Sequence, residues 1–281
     1  MCLIAFAINA SPSWALVVAS NRDEFLDRPT QPLSKWKTAS GHEIISGRDL
    51  RAGGTWLGVT PGGRVAFLTN VHGPECKHAL ISRGELVTRW LESSSSSEEF
   101  LTQLQKTSAD YSGFNLVVGD LSQNAWTWMT NRSTTSASGW SVQALSAGVY
   151  GLSNASLDTP WPKTVELKRV LATALLQEET SCELQLPLWV ALASQTLIQP
   201  TQYRETTVPG TRAPDFLNAF VNFPDSKYGT RSSTLLMVGK QENQSLPGHR
   251  QMEIHERTYF RESCESFDEI AMPYQSESVI V

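Results

Sequence analysis

The sequence predicts an α+β protein in which two mainly antiparallel sheets pack together under covering helices. Three observations predict it. Short apolar runs bounded by turn residues dominate the first half of the chain. Stretches with helical spacing follow, first near residues 84–106 and again near 160–196. Strand-like runs return between and after them, most joined by hairpin-like turns.

The elements follow in order. Cys2–Ile8 and Ala15–Ala19 are apolar and flank Asn9-Ala10-Ser11-Pro12-Ser13, which reads as a hairpin. Thr55–Thr60 and Arg64–Thr69 flank the turn Pro61-Gly62-Gly63. Val65-Ala66-Phe67-Leu68 is apolar throughout, the pattern of a strand covered on both faces. Gly84–Leu91 carries Leu86, Val87, Trp90 and Leu91 at helical spacing. The serine run 93–97 is a solvated loop whose last members can cap a helix reaching Lys106. Glu98 and Glu99 then fall in the first turn, at the positive end of the helix dipole. Phe114–Gly119, Ala125–Thr130, Ser141–Ala144 and Val149–Ser153 read as strands. Pro160 or Pro162 starts a helix to about Glu178, with Val165, Val170, Leu171, Ala174 and Leu175 as its inward stripe. A second helix is expected over Leu188–Thr196, a long polar loop over Gln199–Pro214, and strands over Thr234–Val238 and Glu253–Phe260. The tail after about residue 273 is expected to fray. No linker divides the chain, so residues 1–281 are expected to form one domain.

Composition narrows the function classes. The chain has 281 residues, 40% hydrophobic and 18% charged, which supports a sizeable core rather than disorder. A net charge of −5 disfavours a general nucleic-acid or anionic-membrane binder. No apolar run has the length of a bilayer span. The first basic residue is Arg22, so the start lacks the basic region of a secretory signal. Cys2, Cys76, Cys182 and Cys264 are widely spaced, without CxxC, and read as free thiols of a cytoplasmic protein.

Several stretches can carry chemistry. Cys2 stands directly behind the initiator methionine. Removal of Met1 would leave thiol and α-amino group on one residue. An α-amine has a pKa of about 7.7–8.0 and suits proton transfer at neutral pH. An amine-activated nucleophile needs no histidine, and the five scattered histidines offer none. Asn21-Arg22-Asp23-Glu24-Phe25 ends the second strand, as either a solvated turn or a site beside Cys2. Gly53-Gly54-Thr55-Trp56-Leu57-Gly58 is either a tight turn or a backbone that a ligand approaches closely. It lacks the pattern of a phosphate loop. Asn70 and Asn154 each end a strand, where asparagine commonly forms turns. Two amides converging on a thiol can instead stabilise an oxyanion. Arg231, in Tyr228-Gly229-Thr230-Arg231, is either a surface charge or a carboxylate clamp. His72, Cys76 and His78 form H-x3-C-x-H, which a loop containing Gly73-Pro74 explains better than a metal. No metal site is expected.

Taken in order, MCLI, SNRDEF, GGTWLG, LTN, GFNL, YGLSNA with TPW, and YGTRSST resemble the NRDE proteins, the transport and Golgi organization protein 2 family. The matches run from Cys2 to about Thr234. That family is similar in pattern to the N-terminal-nucleophile hydrolases, and among them to the choloylglycine hydrolase and penicillin V acylase group. The resemblance implies a four-layer αββα sandwich with the nucleophile on the first strand. It implies Cys2 as nucleophile, Asn70 and Asn154 as oxyanion donors, and Arg231 as the late arginine. Asp23 would hold the Cys2 amine and Arg22 would order the thiolate. The acylases separate the arginine and aspartate that are adjacent here, so Glu24 is the alternative carboxylate. Asn21, Glu24 and Trp56 complete the expected substrate side. Two functions follow: a hydrolase of acyl-amides or acyl-CoA-type thioesters with no required cofactor, or a carrier that holds haem or an acyl lipid in the same cleft without turnover. The family's association with haem trafficking motivates the second.

Overall fold

The computed structural model describes residues 2–71, 81–177, 180–196, 218–242, 250–259 and 274–281. Among the described residues, fourteen strands form two seven-stranded sheets, and every pairing within them is antiparallel. The first sheet contains β1 (Cys2–Ile8), β2 (Trp14–Phe25), β10 (Gly148–Leu152), β11 (Asn222–Phe223), β12 (Tyr228–Glu242), β13 (Arg250–Tyr259) and β14 (Tyr274–Ile280). Its order is β10-β1-β2-β12-β13-β14, with β11 beside β12. The second sheet runs, in chain order, β3 (Thr30–Lys37), β4 (Glu43–Asp49), β5 (Leu57–Val59), β6 (Arg64–Asn70), β7 (Phe114–Asp120), β8 (Ala125–Thr130) and β9 (Ser141–Ala144).

Side-chain alternation builds the layers. Along β1, Ile4, Phe6 and Ile8 enter the core between the sheets, while Leu3, Ala5 and Ala7 face two helices, α3 (Pro162–Gln177) and α4 (Ser181–Leu192). In β6, Val65 and Phe67 face the inter-sheet core. Ala66 and Leu68 face the layer of α1 (Gly84–Glu92) and α2 (Ser97–Thr107). Phe6 meets Phe67 edge to face across the sheets, centroids 5.0 Å apart. A one-residue slip of β1 would exchange its two apolar faces, so burial on both sides pins the register. Helix, sheet, sheet and helix are thus the four layers of the expected αββα sandwich.

Local rules account for the helices. Ser96 caps α2, and Glu99 closes the reciprocal capping box. Pro162 takes the first position of α3, where its missing N–H is no loss. The inward face of α3 is Leu167, Leu171, Ala174 and Leu175, whereas Val165 is 40% exposed, against expectation. Helix α4 begins seven residues earlier than expected. Thr180 and Glu183 form its capping box, and Pro187 lies inside it rather than at its start.

Three further differences have physical causes. β3 and β4 were not anticipated, since β3 contains Pro32 and alternates weakly. It is an edge strand, where a missing ladder N–H is tolerated. The stretch Asn21–Phe25 is not a terminal turn but the end of β2 itself. The tail expected to fray is instead paired as β14 along β13, and Val279 and Val281 pack against the inter-sheet core. The loop expected at 199–214 lies outside the described residues. No helix among the described residues is long and apolar enough to cross a membrane.

Candidate functional site

The antiparallel register of β1 and β2 pairs Cys2 with Arg22 at the open end of the hairpin. Paired residues share a face, so both side chains point to the inter-sheet side, as Ile4 and Val18 do further along. Cys2 is only 7% exposed. Burial raises its thiol pKa. The backbone N–H of Asp23, which hydrogen-bonds the sulfur, and the nearby Arg22 guanidinium act against that rise.

Arg22 is held on three sides. Its guanidinium lies 4.2 Å from the centroid of the Trp56 ring. It donates to Thr30 Oγ1 at 3.2 Å and stands 4.0 Å from the Glu24 carboxylate. Glu24 also approaches Arg28, which makes two hydrogen bonds to Asp49 Oδ2. Cys2, Arg22, Asp23, Glu24, Trp56 and Asn70 all line one cleft of about 90 Å³. Among the described residues, the Asn70 side-chain amide makes no hydrogen bond.

Two glycines let this wall close. A Cβ on Gly47 would sit 2.5 Å from the Trp56 ring, and one on Gly54 would sit 2.4 Å from the Gly84 carbonyl carbon. Gly54 therefore lets the loop press against the start of α1, and Thr55 Oγ1 secures it by donating to Gly47 O at 2.7 Å. Around Trp56, Gly54 and Gly58 are crowded by protein atoms, whereas Gly53 stands in open space at positive φ, as a tight turn requires.

Beneath β2, on the α3 and α4 side, lies a second polar layer. Asp23 faces this way, since Val17 and Ala19 precede it on the same face. Thr230 donates to Asp23 Oδ1 at 2.7 Å, and Tyr228 donates to the Asp23 carbonyl at 2.9 Å. Both come from β12, which lies beside β2 with Thr230 opposite Asp23. Asn21 also lies on this face, away from the cleft. Its amide donates to Leu192 O and Ala219 O, and its oxygen accepts from Ser233. Lys163, the second residue of α3, is enclosed here with 2% exposure.

Asn154 and Arg231 serve as braces. The Asn154 amide donates to the Asn70 backbone carbonyl at 2.9 Å, tying the end of β6 to the turn after β10. Ser153 donates to the Cys2 carbonyl at 2.9 Å. The Asn115 amide reaches Thr69 Oγ1 and the carbonyls of Ser153 and Ala155, joining both sheets below the cleft. Arg231 sits at a β-bulge between Thr230 and Ser232. Its guanidinium donates to the backbone carbonyls of Phe25, Leu26 and Arg28. It thus fastens the segment that carries Arg28.

Sequence reasoning missed Ser153, Asn115, Thr230, Tyr228, the Arg28–Asp49 pair and Lys163. The first four lie inside the quoted motifs LSN, GFNL and YGTR, so the signal was present at the wrong residue. Lys163 had none, because a lysine in a first helical turn ordinarily reads as surface. His72, Cys76 and His78 lie outside the described residues. Among the described residues, no cluster of three or more His, Cys, Asp or Glu is placed to hold a metal.

The family model described as Transport and Golgi organisation 2 matches residues 1–261. The chain belongs to this family. The human Transport and Golgi organization protein 2 homolog is 33% identical over 258 residues, covering 85% of this chain and 88% of that one. The mouse homolog is 33% identical over the same shares, and the Drosophila melanogaster protein 26% identical over 86% and 89%. Among solved structures, the chain is similar to a Caenorhabditis elegans N-acylethanolamine-hydrolyzing acid amidase ortholog. The TM-score is 0.43 at 12% identity, covering 83% of this chain and 92% of that one. A mutant conjugated bile acid hydrolase from Clostridium perfringens gives a TM-score of 0.40 at 10% identity, over 96% and 100%. For this family member, the layered architecture rests on its own sheets and helices.

Proposed function

We propose that this Transport and Golgi organisation 2 family chain is an N-terminal-cysteine hydrolase of amide or thioester bonds, of the acyl-amide or acyl-CoA type. The observation that carries the reading is the shared cleft: Cys2, paired with Arg22, lines it together with Asn70 of the second sheet, whose side-chain amide makes no hydrogen bond among the described residues.

The chemistry follows from these placements. With Met1 removed, the Cys2 α-amine accepts the thiol proton and the sulfur attacks the substrate carbonyl carbon. Asn70 donates to the oxyanion that forms. Collapse expels the amine or thiol leaving group, which takes the proton back from the α-ammonium. The acyl group is left as a thioester on Cys2. Water then adds to that thioester, releasing the carboxylic acid and restoring the thiol. Asp23 holds the α-amine from the α3 side, and Arg22 favours the thiolate. Asn154 holds the Asn70 backbone, so oxyanion donation falls to Asn70. Arg231 acts on the loop rather than on substrate. Trp56 and Glu24 set the position of Arg22 at the cleft wall.

The decisive experiment combines intact mass with turnover. The mature protein should lack Met1, and Cys2→Ala should abolish cleavage of acyl-amides and acyl-CoAs that the parent turns over. Equal turnover by parent and variant, or a retained methionine, would rule the mechanism out. Haem titration separates the carrier function: a Soret shift that Cys2→Ala abolishes, with no turnover of any substrate, would favour binding over hydrolysis.

A further inference from the structure

We propose that Lys163 is a positioning residue of the cysteine site, its buried ammonium balancing the Asp23 carboxylate and so keeping the Cys2 thiol reactive. The inference deepens the proposed function and rests on its reading of Cys2.

Lys163 is an unusual residue to bury. Its Nζ is enclosed, and among the described residues it has no hydrogen-bond partner. Nor does it form an ion pair within 4.0 Å there. Lysine is almost never fully buried without a partner, since an isolated ammonium away from water is strongly unfavourable. The Trp161 ring offers only a distant contact, 5.9 Å from Nζ to the centroid.

The surroundings show which charges it answers. On α3 itself, Arg169 is paired with Glu166, and Lys168 is paired with Asp158. On α4, Glu183 closes the capping box of its own helix. On the sheet, Asp23 of β2 faces α3, and Cys2 ends the neighbouring β1. Burial lowers the Lys163 pKa, and only Asp23 and Cys2 pull it back. The lysine thus lies under the sheet, opposite the cleft, on the face that Asp23 takes. It does not line the cleft, so it acts through Asp23 rather than on substrate.

Alkylation of Cys2 by iodoacetamide across pH tests this without any substrate. The Cys2 peptide is followed by mass spectrometry, and folding is checked by thermal melting. In Lys163→Met the alkylation midpoint should rise by about one pH unit, as removal of a nearby opposite charge does. Alkylation at neutral pH should slow about tenfold. Lys163→Arg, which keeps the charge, should restore the parent midpoint. In an Asp23→Asn background, Lys163→Met should shift the midpoint less than it does in the parent. An unchanged midpoint in folded Lys163→Met, an effect as large without Asp23 as with it, or a Lys163→Met chain that does not fold would each overturn the proposal. Failure of the hydrolase reading would show instead as Cys2-independent turnover, whatever the alkylation profile.

Discussion

Asn70 and Asn154 show how residues of one type divide at the scale of single side chains. Asn70 ends β6 and Asn154 lies in the turn after β10; among the described residues the Asn70 amide makes no hydrogen bond, whereas the Asn154 amide is tied to backbone. Asn70→Ala should therefore lower kcat about a hundredfold or more, the effect of losing one oxyanion donor. It should leave the melting temperature nearly unchanged, because among the described residues the lost amide supports no other group. Steady-state kinetics beside a melt would test both halves. Gly54 is the opposite kind of residue, with no chemistry and strict packing. A Cβ there meets the Gly84 backbone, which cannot move aside as a flexible side chain would. Gly54→Ala should destabilise the fold by about 1–3 kcal/mol, the usual penalty of overpacking. Chemical denaturation would measure it, and a neutral result would mean that the loop shifts freely.

Elements decide which residues meet. β2 carries Arg22 to one face and Asp23 to the other, so two adjacent residues serve different layers. β12 supplies Thr230 and Tyr228 to Asp23 from more than two hundred positions away in the chain. β14 closes the sheet beyond β13 and adds Val279 and Val281 to the core. Ending the chain before Tyr274 should expose β13 as an open edge. The expected result is a lower melting temperature and concentration-dependent association by light scattering. A truncated chain with the parent's melt and mass would show that β14 contributes little.

Across the whole molecule, buried carboxylates set the pH response. Burial raises the pKa of Glu256, and the Leu33 N–H and the Thr234 hydroxyl only partly offset it. A carboxyl with a raised folded pKa contributes stability that is full below its unfolded value. That contribution is lost as pH rises through the folded value. Asp49 has the opposite sign. Burial alone would raise its pKa, but Arg28 and the N–H groups of Arg51 and Ala52 outweigh it and hold the carboxyl low. Its contribution is present above the unfolded value and is lost as pH falls through the folded one. Glu256→Gln should therefore melt higher than the parent chiefly on the alkaline side. Asp49→Asn should melt lower at neutral pH, with the difference closing in acid. Melts across pH would check both, and parallel curves for parent and variant would contradict the assignment.

The sequence by itself determined the layers and most element positions. Alternation, helical spacing and capping residues act over a few neighbours, so Cys2–Ile8, Arg64–Asn70 and the Ser96 cap are legible without a fold. It also nominated Cys2, Arg22, Asp23, Glu24, Trp56 and Asn70, which the structure gathers in one cleft. Only the tertiary structure decided that Asn21 turns away, that Asn154 and Arg231 brace backbone, and that Lys163 is buried. Those outcomes depend on which strand lies alongside which, and on which face a helix covers. Such contacts join residues far apart in the chain, so no local pattern encodes them.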